Sequence, residues 1–190
     1  MTPAPRYSGV AVALHWLSAL GVFAALGVGL TMKNAHLAPL RMFQLFQLHK
    51  SIGVTVLLLV ALRLVWRALR RPPPLPETLA PWAQRAAQAG HGLLYLLLIA
   101  VPLTGWIVVS ASPLNIPTVL YGAIPWPHLP WFSALEDKKA FEPLLKTAHD
   151  TLAFAFIAVI LGHVAAALRH AITGDVPLAR MGVSFWSKKS

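Results

Sequence analysis

Apolar residues dominate four stretches of this chain, 10–32, 43–66, 86–111 and 147–168, and polar residues gather mostly in the segments between them. Each stretch is close to the roughly 20 residues that an α-helix needs to cross the hydrocarbon core of a bilayer. The pattern therefore predicts an all-α membrane protein, a four-helix transmembrane bundle forming one domain over residues 1–190. The second span carries the weakest signal, because its charge-free centre covers only 51–62 and it relies on Lys50 and Arg63 reaching toward opposite surfaces. Pro102 and Gly105, in "AVPLTG", predict a kink in the third span whose role is packing. The first span is long, carries His15 and lacks a clear small-x-small cleavage site, so it is expected to remain as an anchor. "RALRRPPPLPETLAPWAQR" reads as an extended linker, and the longest connection, 112–146, holds "IPWPHLPWF", which is expected to lie on the bilayer surface.

Composition agrees with the pattern: 57% of residues are hydrophobic, 12% are charged, and the mean hydropathy is +0.64. The absence of cysteine excludes disulfides, thiolate-bound zinc, iron–sulfur clusters and haem attached through CxxCH. Any metal must be held by His, Met or carboxylate. The formal charge of +10 does not point to nucleic acid, since the basic residues flank the apolar runs, where they set orientation. With four spans, one side holds both termini and ten basic residues (Arg6, Arg63, Arg67, Arg70, Arg71, Arg85, Arg169, Arg180, Lys188, Lys189) against Glu77 and Asp175. The other holds six (Lys33, Arg41, Lys50, Lys138, Lys139, Lys146) against Glu136, Asp137, Glu142 and Asp150. Both termini are therefore expected in the cytoplasm.

The histidines carry the candidate chemistry. An ionisable residue inside a membrane segment is costly enough to need a partner or a task. In "KTAHDTLAFAFIAVILGHVAAALRH", His149 and His163 stand fourteen positions apart, which on an α-helix leaves them on one face and about 21 Å apart along the axis. Following the alternating direction of the spans, His49 shares the outer level of His149, while His15 and His91 share the inner level of His163. Histidines matched at two depths are the arrangement expected for bis-histidine haem b inside a bundle. On depth alone, either His15 or His91 can partner His163. Arg6, Arg63 and Arg67 lie where the propionate edge of an inner haem would be met. His36 and His128 in outer loops and His170 at the inner boundary read as solvated or interfacial.

"HW" at His15, "LHKSIGVTVLLLVALRLVWR", "GHGLLYLLLIAVPLTGW" and "KTAHDTLAFAFIAVILGHVAAALRH" resemble, in order and spacing, the bacterial di-haem cytochrome b561 family over nearly the whole chain. More distantly they are similar to the cytochrome b subunits of hydrogenases and formate dehydrogenases. The resemblance implies two haems b, the inner on His15 and His163 and the outer on His49 and His149, with His91 beside the inner haem or at a quinone site. It also implies residence in the bacterial inner membrane and electron exchange with ubiquinone. A standalone member is expected to take one electron from each of two superoxide anions outside and to reduce quinone. Lys50, next to His49, and Lys146, one turn before His149, suit that task by attracting a small anion, with Arg41 adding to the field. Lys138 and Lys139 read as offsetting Glu136, Asp137 and Glu142. Two other functions fit the same residues: a subunit linking a periplasmic redox partner to quinone, and a proton or metal-ion transporter with a histidine relay.

Overall fold

The computed structural model describes residues 6–75, 79–173 and Met181. Glu77, Asp175, Arg180, Lys188 and Lys189, counted above for orientation, lie outside the described residues. Four helices are long and apolar enough to cross a membrane: α1 (Gly9–Asn34), α2 (Pro39–Leu69), α3 (Pro81–Ser110) and, after a hairpin of β1 (Thr118–Leu120) and β2 (Ile124–Trp126) and the short α4 (Pro130–Ser133), α5 (Lys138–Thr173).

Local chemistry starts each of them. The Ser8 side chain accepts a hydrogen bond from the Ala11 N–H at the head of α1, and α2 and α3 each open on proline, whose missing N–H costs nothing in a first turn. Asp137 accepts from the Ala140 N–H at the head of α5. That cap lets α5 begin nine residues before the apolar run at 147, with Pro143 inside its early turns. Pro102 lies inside α3, and the Thr104 hydroxyl bonds back to the Ala100 and Val101 carbonyls beside it.

α1 packs on α2, α2 on α3, and α3 on α5, leaving the α1–α5 seam loosest among the described residues. Gly21 allows the first contact, since a Cβ there would stand 2.8 Å from Val56 Cγ2. A dry middle layer of Val22, Val56, Val60, Leu97, Leu98, Phe156 and Ile160 fills the bundle. Leu20, Leu62, Leu96 and Leu161 point outward, as a lipid-facing surface requires.

The long connection does not simply lie on a bilayer surface. It folds into an antiparallel hairpin pairing Thr118 with Trp126 and Leu120 with Ile124, turning through Tyr121 and Gly122, both at positive φ. Its backbone is latched to α2: the Tyr121 N–H donates to Ser51 Oγ (2.9 Å), the Val119 N–H to Gln47 Oε1 (3.3 Å), and Gln47 Nε2 and Lys50 Nζ to the Pro117 carbonyl. α3 holds the other end through Trp106 Nε1 to the Pro127 carbonyl and the Leu129 N–H to Ser110 Oγ. The hairpin is thus a cap on the outer end of the bundle.

Candidate functional site

The bundle brings the spaced histidines together at two levels. At the outer level the rings of His49 on α2 and His149 on α5 have centroids 6.3 Å apart and planes at 89°. Both line a cavity of about 380 Å³, walled by all four long helices and closed on the outer side by the hairpin. At the inner level, His163 of α5 lies 6.4 Å from His15 of α1 and 5.8 Å from His91 of α3. His15 and His163 are half-buried and His91 is exposed.

These distances allow a test of whether a bis-histidine metal fits. Two metal–imidazole bonds of about 2.0–2.1 Å, plus the step from each nitrogen to its ring centre, put the centroids of opposed ligands at about 6 Å. The outer pair, the His15–His163 pair and the His91–His163 pair all meet that span. His149 is also turned correctly: its Nδ1 lies 3.1 Å from both the Val101 carbonyl and Thr104 Oγ1. The carbonyl can only accept, so Nδ1 carries the proton and Nε2 keeps its lone pair. No three His, Asp or Glu side chains among the described residues converge as a metal site of their own. The paired imidazoles instead suit a metal whose in-plane ligands come from a macrocycle.

Glycines make room for the two imidazole rings. A Cβ on Gly29 would stand 3.1 Å from His49 Cε1, and one on Gly105 would stand 3.1 Å from His149 Cε1. Gly105, read in the sequence only as part of a kink, lies directly on a histidine ring. The signal that would have found both glycines is the fourteen-residue interval, which recurs on every long helix: His15 and Gly29, His49 and Arg63, His91 and Gly105, His149 and His163. The outer level is therefore Gly, His, Gly, His around the bundle, and the inner level His, Arg, His, His.

Arg63 does not reach out to the surface. Its Nη2 is 3.4 Å from His15 Nδ1, and its guanidinium lies over Tyr95, 5.1 Å from the ring centre, with Arg67 over the same ring at 5.7 Å. Arginine only donates, so this long contact puts the His15 lone pair on Nδ1. For His15 to offer Nε2 to a metal, the guanidinium must turn to another acceptor.

Of the two outer lysines, Lys50 donates to the Pro117 carbonyl at 3.2 Å, and Lys146 is paired with Glu142 at 3.0 Å. Both line the outer cavity. Sequence reasoning missed a third, Lys33, which pairs with Asp150 at 2.6 Å across the α1–α5 seam. It missed Trp126 of the hairpin as well, which packs at a tilt against Trp106, ring centres 5.4 Å apart, and lines the same cavity. Arg41 bonds to Gln44, and Lys138 to Asn115. His128, read as solvated or interfacial, is half-buried, with its Nε2 sealed from solvent.

The model of the prokaryotic cytochrome b561 family matches residues 6–182. The chain is 34% identical over 185 residues to cytochrome b561 homolog 2 of Escherichia coli (strain K12), covering 93% of this chain and 90% of that protein. It is 28% identical over 185 residues to cytochrome b561 homolog 1 of the same organism, covering 93% and 96%. It is 27% identical over 180 residues to a Yersinia pestis protein named "Probable superoxide oxidase CybB", covering 93% and 95%.

Proposed function

The chain belongs to the prokaryotic cytochrome b561 family, a family of haem b membrane electron-transfer proteins, and from that premise we propose that it carries electrons from superoxide at its outer face to ubiquinone. The observation that carries this reading is the pair of α5 histidines, each meeting a histidine of another helix at the span of opposed metal ligands. In this reading there are two haems b, the outer on His49 and His149, the inner on His15 and His163. When bound, each supplies a one-electron iron couple held by neutral imidazoles.

The residues of the chain do the rest. Thr104 and the Val101 carbonyl fix the His149 ring, and the middle apolar layer keeps water from the space between the levels. Arg63 and Arg67 turn to the carboxylate edge of the inner group, which frees His15 Nδ1 to be a donor. His91, exposed beside them, is placed to receive a quinone carbonyl and pass it a proton. Lys50 and Lys146 draw the anion to the outer level. Two superoxide anions lose one electron each and leave as dioxygen; the quinone gains those two electrons and two protons and becomes quinol. The protein lies in the bacterial inner membrane with both termini in the cytoplasm, as the basic residues of the linker and helix ends direct.

Two measurements on the purified protein test the reading. A pyridine haemochrome assay is expected to give two haems b per chain; a ratio near zero overturns the whole reading, and a ratio near one overturns the pairing. Pulsed superoxide is then expected to reduce the bound haem, and added ubiquinone to reoxidise it. Reduction by a periplasmic dehydrogenase but not by superoxide would instead identify an electron-transfer subunit. That second reading draws on the ion pairs that offset Lys33 and Lys146.

A further inference from the structure

The outer cavity holds a polar group that nothing above uses. Trp126 Nε1 is sealed from solvent and makes no hydrogen bond among the described residues, although the residue lines the cavity and packs at a tilt against Trp106, whose own indole N–H is satisfied by the Pro127 carbonyl. Leaving a buried N–H unpaired costs about 1–3 kcal/mol, so a well-packed tryptophan in this position should have an acceptor. No atom of the described residues supplies one. The missing partner therefore belongs to whatever occupies the cavity.

The surroundings define its chemistry. The cavity wall near the hairpin carries Lys33, Lys50 and Lys146, and its carboxylates, Asp150 in the wall and Glu142 beside Lys146, are already engaged with lysines. Lys50 Nζ bonds only a neutral carbonyl in the described contacts, that of Pro117. A donor-only indole beside a cation spent on a neutral acceptor is a site for an anionic oxygen. Indole N–H and ammonium are both donors, and neither can serve a cationic or donor ligand. The rest of the cavity is apolar, lined by residues such as Val22, Leu98 and Phe156. A ligand that is a large apolar body with an acidic edge turned to the hairpin satisfies both halves.

We infer that the Trp126 indole N–H holds a carboxylate of the haem bound between His49 and His149, making the hairpin the clasp of the outer haem's acidic edge. This rests on the proposed haem at that level. Trp126 is a positioning residue, and it sets the charge felt by the iron: a carboxylate deprived of its donor carries more effective negative charge and favours the oxidised metal.

The test is a spectroelectrochemical titration of the full-length protein with both haems loaded, in the parent and in Trp126→Phe, which keeps the ring packing and removes the N–H. His149→Ala identifies the outer couple by its loss. In Trp126→Phe the reduced-to-oxidised ratio of the outer haem at fixed potential is expected to fall about three- to tenfold, a downward shift of about 30–60 mV at 59 mV per tenfold. The inner couple should not move. Trp131→Phe, at a Trp that is 82% exposed on the same side, should change neither. An outer couple that stays in place, or two couples that shift together, overturns the inference. So does an unchanged potential with slowed reduction by superoxide, which would assign the N–H to the incoming anion. Should Trp126→Phe fail to fold, the indole Raman band that reports N–H hydrogen bonding decides in its place. One of the seven tryptophans should pass from bonded in the parent to unbonded in His149→Ala, and no change overturns the inference. A parent that holds no outer haem would defeat the reading of the function itself, whereas an outer haem indifferent to Trp126 defeats only this step.

Discussion

A single hydrogen atom at residue 105 separates two outcomes for the outer site. A methyl at that position would stand 3.1 Å from the His149 ring, tighter than ordinary van der Waals contact, and His149 cannot retreat because Val101 and Thr104 hold its Nδ1. Overpacking of this kind costs about 1–3 kcal/mol. Gly105→Ala is expected to weaken retention of the outer haem by roughly tenfold or more, at 1.4 kcal/mol per tenfold, and to leave the inner haem in place. Gly162→Ala is the control: a Cβ there meets nothing within 4 Å, and removing a helix-interior glycine gains up to about 1 kcal/mol. Haem content and the split of the two absorption bands read both. The same assay tests the pairing. His49→Ala and His149→Ala should each remove one spectral component, and His15→Ala and His163→Ala the other. His91→Ala should keep both, since His91 is exposed and occupies on α3 the inner counterpart of Gly105. Loss of the inner haem in His91→Ala with a normal His15→Ala spectrum would reverse the assignment.

At the scale of elements, the four spans were legible because an apolar run near 20 residues has few other destinations. Pro39, Pro81 and Ser8 mark true starts for simple capping reasons. The extra turns of α5 were not legible: they are polar and contain Pro143, and only the Asp137 cap announces them. Nor was the hairpin, whose strands are three residues long and whose second strand contains Pro125. Its turn signal is Tyr121-Gly122, where the first residue takes a positive φ without being Gly or Asn. The histidine levels could be read from spacing, but the inward turn of Arg63 and the engagement of Lys33 could not, because they depend on neighbours across the bundle. What fixes the hairpin is chiefly Ser51, fully buried, whose hydroxyl donates to the Gln47 carbonyl and accepts the Tyr121 N–H. In Ser51→Ala that N–H loses its partner at a cost of about 1–3 kcal/mol. Amide hydrogen exchange in 118–126 is expected to quicken at least about tenfold, while the middle of α1 keeps its protection. Unchanged exchange in the hairpin would mean that Gln47, Lys50 and the α3 contacts hold it without Ser51.

For the whole molecule, the uneven charge of the two faces limits what electrostatics can do for the substrate. Of the formal +10, the side holding the termini carries ten basic against two acidic residues, and the outer side six against four. In the proposed orientation, which the large excess favours, the outer face is left with a small surplus to attract an anion. That surplus is not shared equally. Lys146 is matched by Glu142 and Lys33 by Asp150, whereas among the described residues Lys50 bonds to a neutral acceptor, the Pro117 carbonyl. Steering should therefore come mainly from Lys50, and should fade as the Debye length shrinks from about 8 Å at physiological ionic strength to about 3 Å at 1 M. The second-order rate of haem reduction by pulsed superoxide is expected to fall with salt in the parent. Lys50→Gln should start slower at low salt and respond less to it. Lys146→Gln should slow the reaction as well, because it changes the net charge by the same single unit and leaves Glu142 unpaired beside the cavity. Both variants must first be shown to retain two haems. Equal rates for all three proteins at low salt would reduce these lysines to interfacial charges.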